Sequence, residues 1–151
     1  MVILSRLADY AVIIATHLAE VAPAQVNAAH LAADTRLPPA TVAKVLKLLA
    51  RGGVVTALRG ASGGYRLARG PGEVSVADIV AAIDGTPSMT HCGVAESACE
   101  RRQFCPTRPH WQRINQAVEQ ALGSVTLADM AAPLAVPPPM AGFTGFERAA
   151  S

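Results

Sequence analysis

The 151-residue chain has no apolar run approaching the roughly 20 residues that a membrane-spanning helix takes. It shows no leader either. The apolar run from Tyr10 to Ala15 is short, Asp9 precedes it, and no small-residue cleavage site follows. Both absences point to a cytoplasmic protein. Three cysteines are too few for a disulfide framework; where thiols are kept reduced they indicate a metal or redox site instead. There is no Rossmann glycine fingerprint, no P-loop and no pairing of a nucleophile with a base, which speaks against an enzyme. His17 and His30 read as ordinary helix residues, and no segment repeats. The most informative absence is local. Between Arg36 and Gly72 there is no Asp or Glu, whereas seven basic residues fall there: Arg36, Lys44, Lys47, Arg51, Arg59, Arg66 and Arg69. In a chain of net charge +2, such a one-signed stretch is the footprint of a polyanionic partner. A solvated face balanced by acids elsewhere in the fold is the alternative.

What is present is 51% hydrophobic, much of it alanine, and this favours helices. Leu7, Ala11, Ile14, Ala15 and Leu18 recur at helical spacing over 5–20. Asn27 is placed to cap a short helix over 27–34. After a tight connection through Pro38 and Pro39, a third helix over 39–51 buries Val42, Val45, Leu46 and Leu49 and stops at Gly52-Gly53. Residues 54–58 and 65–68 read as strands around the glycine-rich turn 59–64, a β-hairpin with a long tip. Ser75 caps a helix over 76–84 with Val76, Ile79, Val80 and Ile83 inward. Residues 85–106 have no period and contain every cysteine. Pro109 opens a helix to about Leu122 with Trp111, Ile114, Ala117, Val118 and Ala121 along one side, extended or restarted over 124–130. The rest, rich in proline, glycine and alanine, reads as a disordered tail.

Helix, short helix, tight turn, helix and hairpin is the order of a winged helix-turn-helix. The expected fold is therefore mainly α with a small β-hairpin wing, plus a C-terminal dimerisation helix. The division is 1–84 for DNA binding, 85–108 for a cysteine loop, 109–130 for the dimerisation helix and 131–151 for the tail. The third helix of this fold enters the major groove of double-stranded DNA, which makes Thr41, Lys44 and Lys47 candidate contacts to bases and phosphates. The wing offers Arg59, Ser62, Gly63, Tyr65 and Arg66, an arginine on a narrow loop being suited to the minor groove. Plainer readings stand beside these: the glycines as a hairpin turn, Tyr65 as a core aromatic.

Three stretches resemble the Rrf-type winged-helix regulators, the group that includes IscR and NsrR. They are Leu4-Ser5-Arg6-Leu7-Ala8-Asp9-Tyr10-Ala11, then Leu37-Pro38 followed by Val42, Lys44, Val45, Leu46 and Leu49, and above all Arg59-Gly60-Ala61-Ser62-Gly63-Gly64-Tyr65-Arg66-Leu67. Within that group Cys99-Glu100-Arg101, Cys105-Pro106 and His110-Trp111-Gln112-Arg113-Ile114-Asn115 are similar to the regulators of the SUF iron–sulfur assembly operon. The resemblance implies a homodimer, DNA contacts from the third helix and wing, and an iron–sulfur cluster; control of assembly genes, as a repressor, is the expected role. A nitric-oxide or redox-sensing repressor of other genes and a zinc-stabilised DNA-binding protein without redox sensing are the alternatives.

Cys92, Cys99 and Cys105 are separated by six and five residues in one loop between two helices. That spacing alone matches neither a tight ferredoxin run nor paired zinc motifs, and three unrelated thiols would look the same. The resemblance assigns them to a cluster, 2Fe–2S or 4Fe–4S, with one coordination site open. IscR-like members fill it with a histidine three positions after the last cysteine, where this chain has Arg108; His110 lies two residues further on. NsrR-like members use an aspartate from the first helix of the partner subunit, and Asp9 matches that position. His91, Glu96 and Glu100 are further donors. Asp9 is favoured over His110, because a hard, labile carboxylate suits a cluster meant to be lost or attacked. Trp111 is expected in the core or in the pairing of two copies of the helix from Pro109; cover for the helix's own domain is the plainer use of that apolar side.

Overall fold

A computed structural model describes residues 4–90 and 103–133. The tail beyond residue 133, together with Cys92 and Cys99, lies outside the described residues. The elements are α1 (Arg6–Glu20), α2 (Ala28–Thr35), α3 (Pro39–Arg51), β1 (Val55–Leu58), β2 (Gly64–Leu67), a 3-10 turn (Pro71–Glu73), α4 (Val76–Asp84), α5 (Arg108–Gly123) and α6 (Leu127–Ala131).

Helix starts are where the capping side chains stand. Ser5 Oγ accepts the Ala8 N–H at 3.1 Å, Asn27 Oδ1 accepts the His30 N–H at 2.8 Å, and Ser75 and Asp78 form a capping box at α4. Ser5 is itself held from afar: its N–H and hydroxyl donate to the two carboxylate oxygens of Asp84, at 3.3 and 2.7 Å. The end of α4 is thereby tied to the start of α1. Between α2 and α3 the chain turns through Arg36, whose φ of 54° is left-handed backbone in a non-glycine residue.

The core lies between α1, α3 and α4, with the hairpin closing one end. Val42, Val45, Leu46 and Leu49 of α3 are all fully buried, as their spacing predicts. They pack on Ala11, Ile14, Ala15 and Leu18 of α1 and Ile79 of α4, and small alanines on α1 let the helices approach closely. No polar or charged residue is buried among those described. Each fully buried aliphatic side chain of this kind contributes roughly 1.5–3 kcal/mol.

β1 and β2 pair antiparallel, Val55 opposite Leu67 and Leu58 opposite Gly64. A third edge arises from the α1–α2 connection, which the sequence did not foretell. Val26 exchanges two backbone hydrogen bonds with Tyr65, at 2.9 and 2.8 Å. Glycine at 64 permits this approach, since a Cβ there would stand 2.8 Å from the Val26 carbonyl oxygen.

The C-terminal helix expected over 109–130 is two helices. Residues 124–125 end α5, and Thr126 and Asp129 form a capping box that starts α6. The Thr126 N–H, and after it the Thr126 hydroxyl, hold the Asp129 carboxyl below its ordinary range. Leu127 is fully buried, its N–H donates to the Val74 carbonyl at 2.8 Å, and α6 packs on α1. Residues 125–131 thus complete the winged-helix core. α5 packs on α4 through half-buried Trp111, Asn115, Val118 and Leu122, while Ile114, Ala117 and Ala121 face outward. The apolar side read as one stripe is therefore split between two faces.

Leu127→Ala is expected to lower unfolding stability by about 2–5 kcal/mol, the range for a fully buried leucine. Met130→Ala, on the exposed side of the same short helix, is expected to stay within about 0.5 kcal/mol. Urea denaturation of both variants checks this; equal midpoints would show that α6 is not part of the core.

Candidate nucleic-acid interface

Burying one side of α3 fixes what the other side presents. Ala40, Ala43, Lys44, Lys47 and Arg51 are exposed and Thr41 is half-buried. Lys44, Lys47 and Arg51 recur three and four residues apart, so they form one row along the helix. At the hairpin, Arg59 and Ser62 are exposed at the tip and Arg66 is exposed on β2. The tip is anchored, because the Gln25 side chain donates to the Ser62 carbonyl. Tyr65 is half-buried against the core, in line with the plainer reading of it. Gly63 has a backbone reason to be glycine: a Cβ there would stand 2.5 Å from the Leu58 carbonyl oxygen.

Among the described residues most charges of this surface have no acidic partner. The ion pairs among the described residues are His17 with Glu20 at 3.5 Å, His17 with Asp34 at 3.1 Å, and Arg69 with Asp78 at 3.8 Å. None involves Lys44, Lys47, Arg51, Arg59 or Arg66. Of the seven basic residues between Arg36 and Gly72, Arg69 alone meets an acid among the described residues. The row on α3 and the wing are thus cationic donors free to meet phosphate oxygens.

The second candidate centre is placed only in part. Cys92 and Cys99, with His91, Glu96 and Glu100, lie outside the described residues. Cys105 is half-buried just before α5, its Sγ 3.3 Å from Thr107 Oγ1. His110 is exposed in the first turn of α5. Asp9 is exposed on α1 and lines an open groove with Ile13, Thr16 and Met130. Among the described residues neither the Asp9 carboxylate nor the His110 ring makes a hydrogen bond or ion pair, and no group of three or more His, Cys, Asp or Glu is assembled to hold a metal. The chemistry of the donor set nonetheless fits an iron–sulfur cluster: a thiolate-bearing segment of 14 residues from Cys92 to Cys105, with unengaged oxygen and nitrogen donors on α1 and α5. Further features of the surface had no signal in the sequence: the Gln25 tether, the Ser5–Asp84 link, and Arg108, whose Nε is buried without a hydrogen-bond partner among the described residues. Each depends on contacts between distant segments or on the burial they produce.

A helix pair with a left-handed turn, a cation-bearing third helix and an antiparallel hairpin define a winged helix-turn-helix. The family model of Rrf2, described as an iron-dependent transcriptional regulator, matches residues 4–133, and the chain belongs to that family. It is a family of transcription regulators, not of enzymes. An HTH-type transcriptional regulator of Neisseria meningitidis is 38% identical over 79 residues, 52% of this chain and 53% of that protein. The chain thus spans about half the length of the first curated relatives it matches. The structure of CymR, the global cysteine regulator of B. subtilis, superposes with a TM-score of 0.66 at 27% identity, covering 87% of this chain and 97% of that one. T. potens IscR does so with a TM-score of 0.64 at 28% identity, covering 85% of each. Among the described residues no helix is long and apolar enough to cross a membrane.

Proposed function

We propose that this chain is a cytoplasmic, homodimeric DNA-binding repressor whose hold on its operator depends on an iron–sulfur cluster, and that its targets are SUF-type cluster-assembly genes. The observation that carries the DNA-binding part is the row Lys44, Lys47 and Arg51, exposed and without ion pairs among the described residues, on a helix whose opposite side is fully buried. α3 enters the major groove, with Thr41 at base edges or phosphates and the lysines on phosphates. The wing places Arg59 and Ser62 at the minor groove, with Gly63, Tyr65 and Arg66 behind them. The outward face of α5, with Ile114 at 41% exposure, pairs with the same face of a second copy.

The regulatory part rests on the resemblance stated above and on the iron-dependent character of the family. Cys92, Cys99 and Cys105 hold the cluster, and the open site takes Asp9 of the partner subunit or His110. The cluster supplies a group that oxidant, nitric oxide or iron shortage can remove. The residues themselves set the geometry. The segment 85–108 leaves α4 at Asp84, which holds the start of α1, and enters α5 at Arg108. A cluster held there would tie α4 to α5 and so set the distance between the two α3 helices, and half-sites about one helical turn apart accept only one distance. Its removal would shift the population away from that distance.

Three measurements test this reading. Affinity for a duplex from the chain's own promoter region is expected to fall linearly with salt on logarithmic axes, with a slope of about −0.9 per phosphate met. Lys47→Ala is expected to weaken every sequence alike and to reduce that slope by about 1; salt-independent binding without promoter preference would end the DNA reading. Anaerobically purified protein is expected to be coloured and to contain iron and sulfide, and Cys99→Ala to be colourless with one DNA affinity before and after iron loading. A colourless native protein carrying zinc would replace the sensor with a structural metal site. Ile114→Asp is expected to convert a dimer to a monomer in light scattering with helix content unchanged; an unaltered mass would place the interface elsewhere.

A further inference from the structure

Behind the wing, on the outer face of the hairpin, is a cleft of about 640 Å³. It falls within the roughly 300–1,000 Å³ typical of small-molecule sites. Three segments wall it: the α1–α2 connection at Ala22 and Pro23, the hairpin at Thr56 and Arg66, and the turn from Arg69 to Glu73. Thr56 and Arg66 are cross-strand partners, so their side chains share the face that lines the cleft.

The charges of the cleft are unevenly engaged. Arg66 is exposed and has no ion pair among the described residues. Arg69 faces Asp78 at 3.8 Å, but that Asp78 oxygen already accepts the Ser75 N–H at 2.9 Å and hydroxyl at 3.0 Å while capping α4. A long pair with both side chains more than two-fifths exposed is weak. The acid of the lining, Glu73, accepts the Gly70 N–H at 2.9 Å and so is turned back on its own turn. Two guanidinium groups, a hydroxyl and the one engaged carboxylate of Glu73 therefore line a cleft otherwise walled mostly by alanine and proline, and its formal balance is positive.

We infer that this cleft binds a small organic anion, its carboxylate or phosphate oxygens met by Arg66, Arg69 and Thr56 and its neutral body laid on the Ala22–Pro23 wall. Guanidinium pairs of this kind recognise oxyanions by charge-assisted hydrogen bonds. Arg66 is also one of the groups assigned above to DNA, so ligand and duplex draw on one guanidinium and the bound anion lowers DNA affinity. That consequence rests on the DNA-binding reading; the site itself does not.

Calorimetric titration of the full chain at fixed sodium chloride, with malate, citrate and glucose 6-phosphate as probes and glucose as the neutral control, tests the site. Saturable binding at one site per chain is expected for at least one anion and none for glucose. Malate or citrate against glucose 6-phosphate separates a carboxylate ligand from a phosphate ligand. Arg66→Ala and Arg69→Ala are each expected to weaken binding at least tenfold, with melting temperature unchanged because both side chains are exposed. No saturable binding of any probe, or native affinity retained in both arginine variants, overturns the site. In a second arm, the bound anion is expected to reduce affinity for the promoter duplex several-fold beyond sodium chloride of equal ionic strength; an equal effect overturns the coupling. If the anion binds in calorimetry and no duplex binds at all, the site stands and the DNA reading falls.

Discussion

The inward side of α3 governs the outward one. Val42, Val45, Leu46 and Leu49 leave no solvent on their face of the helix, and the helical period then obliges Lys44, Lys47 and Arg51 to point away from the core. Turning α3 by the angle of a single residue would press a lysine against Ile14 or Leu18. An unpaired charge there would cost several kcal/mol. The same packing that stabilises the domain is therefore what aims its cations. α1 serves as the bed for this arrangement: its alanines let α3 come close, and its own start is fixed by Ser5 and Asp84 to the far end of α4.

The hairpin is less independent than a wing suggests. The two Val26–Tyr65 hydrogen bonds, the Gln25 bond to Ser62 and the close approach that Gly64 permits fasten it to the α1–α2 connection. What meets the tip is felt by that connection, which is also a wall of the cleft behind the hairpin. The two faces of the wing are thus mechanically one object.

Local periodicity and local capping were legible in the sequence, and the fold class with them. The α3 stripe, the Asn27 cap and both strands, to within a residue, are fixed by neighbours a few positions apart. What escaped depends on distant partners. A Thr-x-x-Asp cap at 126–129 could have marked the start of α6, but nothing nearby says that Leu127 returns to Val74 and α1. The apolar side of α5 was over-read because Trp111 and Val118 turn to α4 while Ile114, Ala117 and Ala121 do not, a division set by where α4 lies. The basic surface was readable because it occupies one stretch of chain. The proposed cysteine centre was readable only as a resemblance, since residues 85–106 have no period and the spacing of the three cysteines matches no tight cluster or zinc motif.

Arg36 embodies a compromise. Its left-handed backbone is one that glycine occupies freely and a residue with a Cβ does not, at a strain on the order of 1–2 kcal/mol. The chain keeps a permanent cation at this bend, where α2 hands over to α3, and forgoes the relief of backbone strain that glycine would give. Positive charge beside the start of α3 thus sits at a place where local stability argues against it, and an engineer seeking a sturdier version of the fold would have to choose between the two.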